Sequence, residues 1–80
     1  MAVTIIYLGP LRDLAGTEST EIDAPLDWKA LLDAVGPDVA DQLLQDRVNI
    51  ACGGKVLADK TALAAQDGDE IALLPPVSGG

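Results

Sequence analysis

The sequence predicts a small α+β domain in which one main helix crosses the face of a mixed sheet of about five short strands. Apolar residues follow a helical period in one main stretch near the middle of the chain, whereas the runs on either side have the length and alternation of strands. The order of strand pair, helix, strand pair and final strand is typical of α+β domains. The chain has 80 residues, 49% of them apolar, so it has room for one domain with one core.

The first two strands are predicted near the amino terminus. β-Branched and aromatic side chains predominate in residues 3–8, and because both alternate sets are apolar we expect a central strand that is buried on both faces. Residues 9–16 are predicted to form a loop. Residues 17–22 alternate weakly and contain Thr, Glu and Ser, which is typical of a half-exposed edge strand. The two strands are expected to pair as a hairpin.

The main helix is predicted to begin after Asp27, which stands at the position of an N-cap. Four apolar residues follow at the i, i+3, i+4, i+7 spacing of one helical face: Trp28, Leu31, Leu32 and Val35. Gly36 and Pro37 end this helix, and a second short helical segment is expected at residues 38–44. Such an apolar stripe predicts a helix that packs on the core.

The remaining strands are predicted in the second half of the chain. Residues 47–52 alternate, and Gly53-Gly54 can adopt the positive φ angles of a tight turn into a short following strand. Asp67-Gly68-Asp69 predicts a turn that leads into the last strand, residues 70–74. The first and last strands are the most apolar, so we expect them side by side and parallel at the centre of the sheet.

Composition excludes several classes of function. The net charge of -8, from 13 acidic and 5 basic residues, argues against nucleic acid and anionic membranes as partners. The sequence has no histidine, so it lacks the base of Ser-His and Cys-His nucleophiles and the usual ligand of transition metals. We therefore expect no enzymatic activity of the chain on its own and no metal site. Asp67, Asp69 and Glu70 are spaced too closely for a calcium loop.

Cysteine usage and the amino terminus predict a cytoplasmic protein. Cys52 is the only cysteine, so it cannot form an intramolecular disulfide. Its alternation with Val48 and Ile50 places it on the apolar face of a strand, where we expect a structural role. The first residues have neither the basic region nor the long apolar run of a signal peptide.

The last six residues, 75–80, are predicted to form an extended tail outside a domain of residues 1–74. Pro75 and Pro76 have no N–H to donate to a sheet, and two consecutive prolines favour a stiff, extended exit with a reach of about 20 Å. Gly79 and Gly80 have no side chains, so this end can enter a narrow channel. A carboxylate joined to an adenylate becomes open to attack by sulfur. The tail thus predicts that other enzymes activate the carboxylate of Gly80.

The sequence resembles the small subunits of molybdopterin synthase, which are ubiquitin-like β-grasp sulfur carriers. The resemblance covers nearly the whole chain and is most specific at residues 67–80, DGDEIALLPPVSGG, and at Arg12, Leu14, Ala15 and Gly16. It implies that an activating enzyme adenylates Gly80 with ATP and that a sulfur-donor protein supplies the sulfur of a thiocarboxylate. It also implies a heterotetramer of two small and two large synthase subunits, in which this sulfur enters the dithiolene of molybdopterin made from precursor Z. No cofactor is expected to bind stably.

The resemblance further implies that an apolar surface beside the tail contacts the large subunit and the activating enzyme. The residues that match such positions are Leu8, Leu73, Leu74, Pro75, Pro76, Val77 and Ser78. The three leucines stand where aromatic residues are frequent in the family, and Gly53 stands where the family usually has Asn. Alternation requires at least one of Leu73 and Leu74 to be core.

Three other functions share these features. A sulfur carrier of thiamin thiazole synthesis has the same fold and diglycine end, although such chains resemble a shorter version without the Pro-Pro-Val-Ser segment. A ubiquitin-like modifier would instead form isopeptide bonds between Gly80 and lysines. A passive interaction domain would make no use of its terminal glycines.

Overall fold

A computed structural model describes residues 2–75 of the chain, which form eleven elements. Their bounds in chain order are β1 Ala2–Tyr7, α1 Pro10–Ala15, β2 Ser19–Asp23, β3 Leu26–Asp27, α2 Trp28–Val35, α3 Pro37–Leu43, β4 Asn49–Cys52, β5 Lys55–Val56, a 3-10 turn at Lys60–Ala62, β6 Ala64–Ala65 and β7 Glu70–Leu74. Five strands form a mixed sheet in the order β2-β1-β7-β4-β5, and β3 pairs with β6 separately. The α+β class is confirmed.

The first and last strands of the sheet, β1 and β7, lie side by side and parallel, as the sequence predicts. Their register aligns Thr4 with Glu70 and Tyr7 with Leu73. The side chains of β1 alternate between fully and partly buried, so the expectation that both faces are buried is wrong. One face of the sheet packs on the helices, and the other is covered only in part.

The segment between β1 and β2 forms helix α1, where the sequence analysis predicts a loop. Pro10 stands at the first helical position, where its missing N–H costs nothing and its fixed φ suits a helix. Leu11 is buried in the core, and Gly16 ends the helix in the left-handed conformation. The predicted antiparallel pairing of β1 with β2 is nevertheless confirmed.

Helices α2 and α3 form as predicted and cover one face of the sheet. The Asp27 carboxylate accepts a hydrogen bond from the backbone N–H of Ala30 at 2.8 Å, which confirms Asp27 as the N-cap of α2. Leu31 of α2 and both Val39 and Leu43 of α3 are buried. They join one core cluster with fully buried side chains of the central strands, namely Val3, Ile5, Ile50, Ile71 and Leu73.

Lys60 holds three separate segments together. Its Nζ donates hydrogen bonds to the backbone carbonyls of Gln45 and Val48, the latter at 2.8 Å. The same ammonium lies 5.9 Å from the ring centroid of Trp28, within the range of a cation–π contact. The turn before β4 is thereby tied to the start of α2.

Two predicted turns are confirmed. Gly53 and Gly54, both with positive φ, connect β4 to β5. Before β7, the Asp67 carboxylate accepts a hydrogen bond from the Ala2 N–H at 2.9 Å, and the Asp69 carboxylate accepts one from the Gln66 N–H at 2.8 Å.

No helix within residues 2–75 is long and apolar enough to cross a membrane.

Candidate functional site

The candidate site lies where β7 ends. This strand is the middle one of five, paired with β1 on one side and with β4 on the other. It ends at Leu74, and Pro75, which is half-buried, is the last residue that the structure describes. The predicted roles of Pro76, Val77, Ser78, Gly79 and Gly80 lie outside the described residues. The tail therefore follows directly from the middle strand of the sheet, which is paired on both sides.

Leu73 does not belong to a partner surface, and this part of the prediction is wrong. Its side chain has no exposed area and is aligned with Tyr7 of β1 and Ile50 of β4, both buried. Alternation along β7 directs Ile71 and Leu73 to the helices, so Leu74 is directed to the opposite face. Leu73 is a core residue.

The opposite face, which we call the open face, has an apolar patch at the end where β7 stops. Across four strands the register aligns Ile6 with Ala72, Ala72 with Ala51, and Ala51 with Val56. Leu8 and Leu74 continue the alternation of β1 and β7 on this side. The patch consists of Ile6, Leu8, Ala51, Val56, Ala72 and Leu74. Val56 is 60% exposed and Leu8 is 38% exposed, so the patch is accessible.

Only Leu8 and Leu74 of this patch are among the predicted site residues. Two of the other four could have been found from the sequence, because Ile6 has the same parity as Leu8, and Ala72 the same as Leu74. The contributions of Ala51 and Val56 follow from the sheet order, which the sequence does not reveal.

The other end of the open face is acidic. Thr4 is aligned with Glu21 on β2 and with Glu70 on β7, and Ala2 with Asp23. All three acidic side chains are exposed. The open face is therefore divided along β1 and β7 into an acidic end and an apolar end, and the apolar end adjoins the tail.

Cys52 lies away from the tail and is poorly suited to nucleophilic chemistry. It is aligned with Ile71 near the start of β7, whereas Leu74 is aligned with Asn49. Partial burial raises the pKa of the Cys52 thiol, and the negative charge of Asp69, whose Oδ2 lies 4.0 Å from Sγ, raises it further. The side chain packs against the core, which confirms its place on the apolar face.

Two further candidate positions have structural explanations. Arg12 is exposed on α1, with its guanidinium 3.7 Å from the carboxylate of Glu18. Asp67 and Asp69 accept backbone hydrogen bonds that fix the turn before β7. Within residues 2–75 there is no group of three or more potential metal ligands.

Comparison with known proteins identifies relatives along the whole chain. The ThiS family matches residues 5–80. The chain is 33% identical to the molybdopterin synthase sulfur carrier subunit of Escherichia coli strain K12, over 98% of this chain and 99% of that protein.

Solved structures show the same fold. SAMP1 from Haloferax volcanii superposes with a TM-score of 0.72 at 30% identity over all of both chains. A chain in the complex of subunits 1 and 2 of the molybdopterin-converting factor from Helicobacter pylori 26695 gives 0.67 at 29% identity, also over all of both chains. The fold is thus the predicted ubiquitin-like β-grasp.

Proposed function

Because this chain belongs to the ThiS family, we propose that it is a sulfur carrier for molybdopterin synthesis and that its sulfur is held at the carboxyl group of Gly80. The relative in Escherichia coli is a sulfur carrier subunit of molybdopterin synthase, which supports this choice of pathway. The observation that carries the proposal is the position of β7. This central strand ends beside the apolar patch at Leu74, and Gly79 follows five positions later in the sequence.

The chemistry takes place on the carboxylate. One oxygen of Gly80 attacks the α-phosphorus of ATP in an activating enzyme, which releases pyrophosphate and forms an acyl adenylate. A sulfide equivalent supplied by a sulfur-donor protein then attacks the carbonyl carbon, and AMP leaves. The product is a thiocarboxylate. The carrier binds neither ATP nor sulfide by itself, so the partner enzymes supply the catalytic groups.

The tail residues have separate roles in this proposal. Gly79 has no side chain to obstruct a narrow active-site channel. Pro75 and Pro76 have no N–H to donate to a sheet, so in this proposal they would direct the chain away from β7. Val77 and Ser78 lie between these two pairs and would contact the walls of the channel. The carrier is thus non-catalytic, and its reactive group is brought to each partner in turn.

The apolar patch is the proposed docking surface for the large synthase subunit and for the activating enzyme. Both partners must hold the domain while they reach the same terminus, so a surface next to the end of β7 suits both. Leu8 directly follows β1 and Leu74 ends the adjacent β7, so both lie at this end. The likeness to a chain in a complex of subunits 1 and 2 of a molybdopterin-converting factor supports a large-subunit partner, and a heterotetramer of two small and two large subunits is part of this proposal.

The proposal is tested by intact mass. Incubation with the cognate activating enzyme, ATP and a sulfur source should add about 16 Da, because one oxygen of Gly80 is replaced by sulfur. A variant that lacks Gly80 should remain folded, since the core is formed by residues between Val3 and Leu73, and should gain no mass. An unchanged mass of the full-length chain, alongside a control carrier that is modified, would exclude the proposed function.

A ubiquitin-like modifier is the second candidate, and the likeness to SAMP1, a small archaeal modifier protein by name, favours it over a passive domain. Here a lysine amine attacks the adenylate, AMP leaves, and an isopeptide bond forms. Conjugates that survive thiol treatment, in place of the thiocarboxylate, would indicate this function. Offering the thiocarboxylated chain separately to molybdopterin and thiazole synthesis distinguishes the two sulfur pathways.

A further inference from the structure

Gly9 lies directly beside the residue from which the tail departs. The parallel register of β1 and β7 aligns Tyr7 with Leu73. Gly9 and Pro75 each follow these residues by two positions, and they lie next to each other. A Cβ built on Gly9 would lie only 3.3 Å from Cγ of the Pro75 ring. This separation is shorter than an ordinary van der Waals contact between carbon atoms. The absence of a side chain at Gly9 is what leaves room for the ring.

The backbone at Gly9 is also held in place, so it cannot move away from Pro75 to make room for a side chain. Its φ of 56° and ψ of -133° belong to a region that only glycine adopts readily. Its carbonyl accepts a hydrogen bond from the Arg12 N–H at 3.1 Å, and α1, which it precedes, is anchored in the core by Leu11. A side chain at position 9 would therefore displace Pro75 instead.

We propose that Gly9 is a positioning residue for the carboxyl terminus: its backbone forms a seat for the Pro75 ring and sets the direction in which the chain leaves β7. The inference rests on the proposed function, because the direction matters when Gly80 must reach the active site of a partner. The reacting carboxylate follows Pro75 by only five residues, so the direction set at Pro75 affects how readily Gly80 reaches the productive position in a partner.

The chain contains a matched control at Gly36. Like Gly9, it is the N-cap of a helix, is followed by a proline at the first helical position, and has a positive φ, 85° with ψ 167°. No atom lies within 4 Å of a Cβ built on Gly36. Alanine at either position thus introduces backbone strain, but only alanine at position 9 meets Pro75.

The experiment compares the variants Gly9→Ala and Gly36→Ala in the complete chain. The rate of adenylation by the activating enzyme is followed as ATP–pyrophosphate exchange, and Tm is measured for each variant. We expect both variants to lose thermal stability. Gly9→Ala alone should lower kcat, on the order of ten-fold, with little change in KM because the docking surface is intact. Equal kcat values for the two variants would refute the proposal that Gly9 positions the Pro75 ring.

Removing the ring supplies the second test, and NMR of the wild type supplies a third that applies even if Gly9→Ala does not fold. Alanine at position 75 has no Cγ for a side chain at position 9 to meet. When each substitution is added to Pro75→Ala, Gly9→Ala should therefore lower kcat no more than Gly36→Ala does. In the wild type, NMR should show a nuclear Overhauser effect between the Gly9 Hα and Pro75 ring protons. Its absence excludes the seat, whereas its presence in a chain that is never adenylated would refute the proposed function alone.

Discussion

Replacing Leu73 and Leu74 one at a time by alanine separates the core of β7 from its docking surface. The two residues are adjacent and chemically identical, but Leu73 is fully buried and Leu74 is half-buried on the open face. Truncation of a buried leucine to alanine costs about 2.7–5 kcal/mol. A domain of this length has a free energy of unfolding of about 4–12 kcal/mol. Leu73→Ala should therefore remove a large part of the stability and lower Tm by about 10 °C or more.

Leu74→Ala should have the opposite profile. Its side chain contributes less to the core, so we expect a loss of about 1 kcal/mol in the free energy of unfolding. Its removal from the apolar patch should weaken binding to the large subunit and slow adenylation. Urea denaturation followed by the fluorescence of Trp28, the only tryptophan, measures stability, and titration calorimetry measures binding.

Three outcomes with this pair of variants would refute the assignment of the two leucines. A Leu73→Ala protein as stable as the wild type would show that the alternation along β7 is assigned to the wrong faces. A Leu74→Ala protein that binds its partner with unchanged affinity would remove Leu74 from the docking surface. Equal losses of stability in both variants would contradict the difference in burial.

The further predictions concern single side chains. Lys60→Ala should lower the free energy of unfolding by about 2 kcal/mol in urea denaturation, because two carbonyls lose a charged donor. Asp27→Ala should lower it by about 1 kcal/mol, since the N-cap bond to α2 is lost. Cys52 should be alkylated slowly by iodoacetamide at neutral pH and faster as the pH rises above the ordinary thiol pKa, because its raised pKa keeps the thiol protonated. Asp69→Asn should speed this reaction at a given pH, as it removes a negative charge that raises the pKa of Cys52; an unchanged rate would contradict that cause.

The elements that the sequence predicts best are those with strong local signals. Helix α2 has a full apolar stripe and a side-chain cap at Asp27, and β7 begins directly after the turn at Asp67-Gly68-Asp69. Both are found with the expected bounds or within a residue of them. Their local pattern and their tertiary environment agree, which is why periodicity alone is sufficient.

The elements that the sequence does not predict are short. Helix α1 has six residues and buries only Leu11, so no period can develop. Strands β3 and β6 have two residues each and exist through pairing that is distant in sequence. The assignment of Leu73 to a surface is wrong for a related reason. Alternation along a strand separates its side chains into two faces, but the position of the helices decides which of the two faces is buried in the core.

The residues of the candidate site also fall into two groups, those that the sequence indicates and those that only the structure brings together. Gly79 and Gly80 are recognised from residue type and position alone, and their roles remain predictions. The row from Ile6 through Ala72 and Ala51 is formed by three strands from different parts of the chain. Such a surface depends on the sheet order, so it becomes visible only in three dimensions.

The parallel pairing of β1 with β7 has a consequence for how the molecule is made. The amino-terminal strand is completed first during synthesis and waits for a partner that is translated last. Contacts so distant in sequence form late, because a long stretch of chain must be ordered before they are gained. The sheet therefore closes only after β7 has left the ribosome. A product that stops before β7 lacks the central strand as well as the terminus, so it is not expected to fold and compete for the partner enzymes.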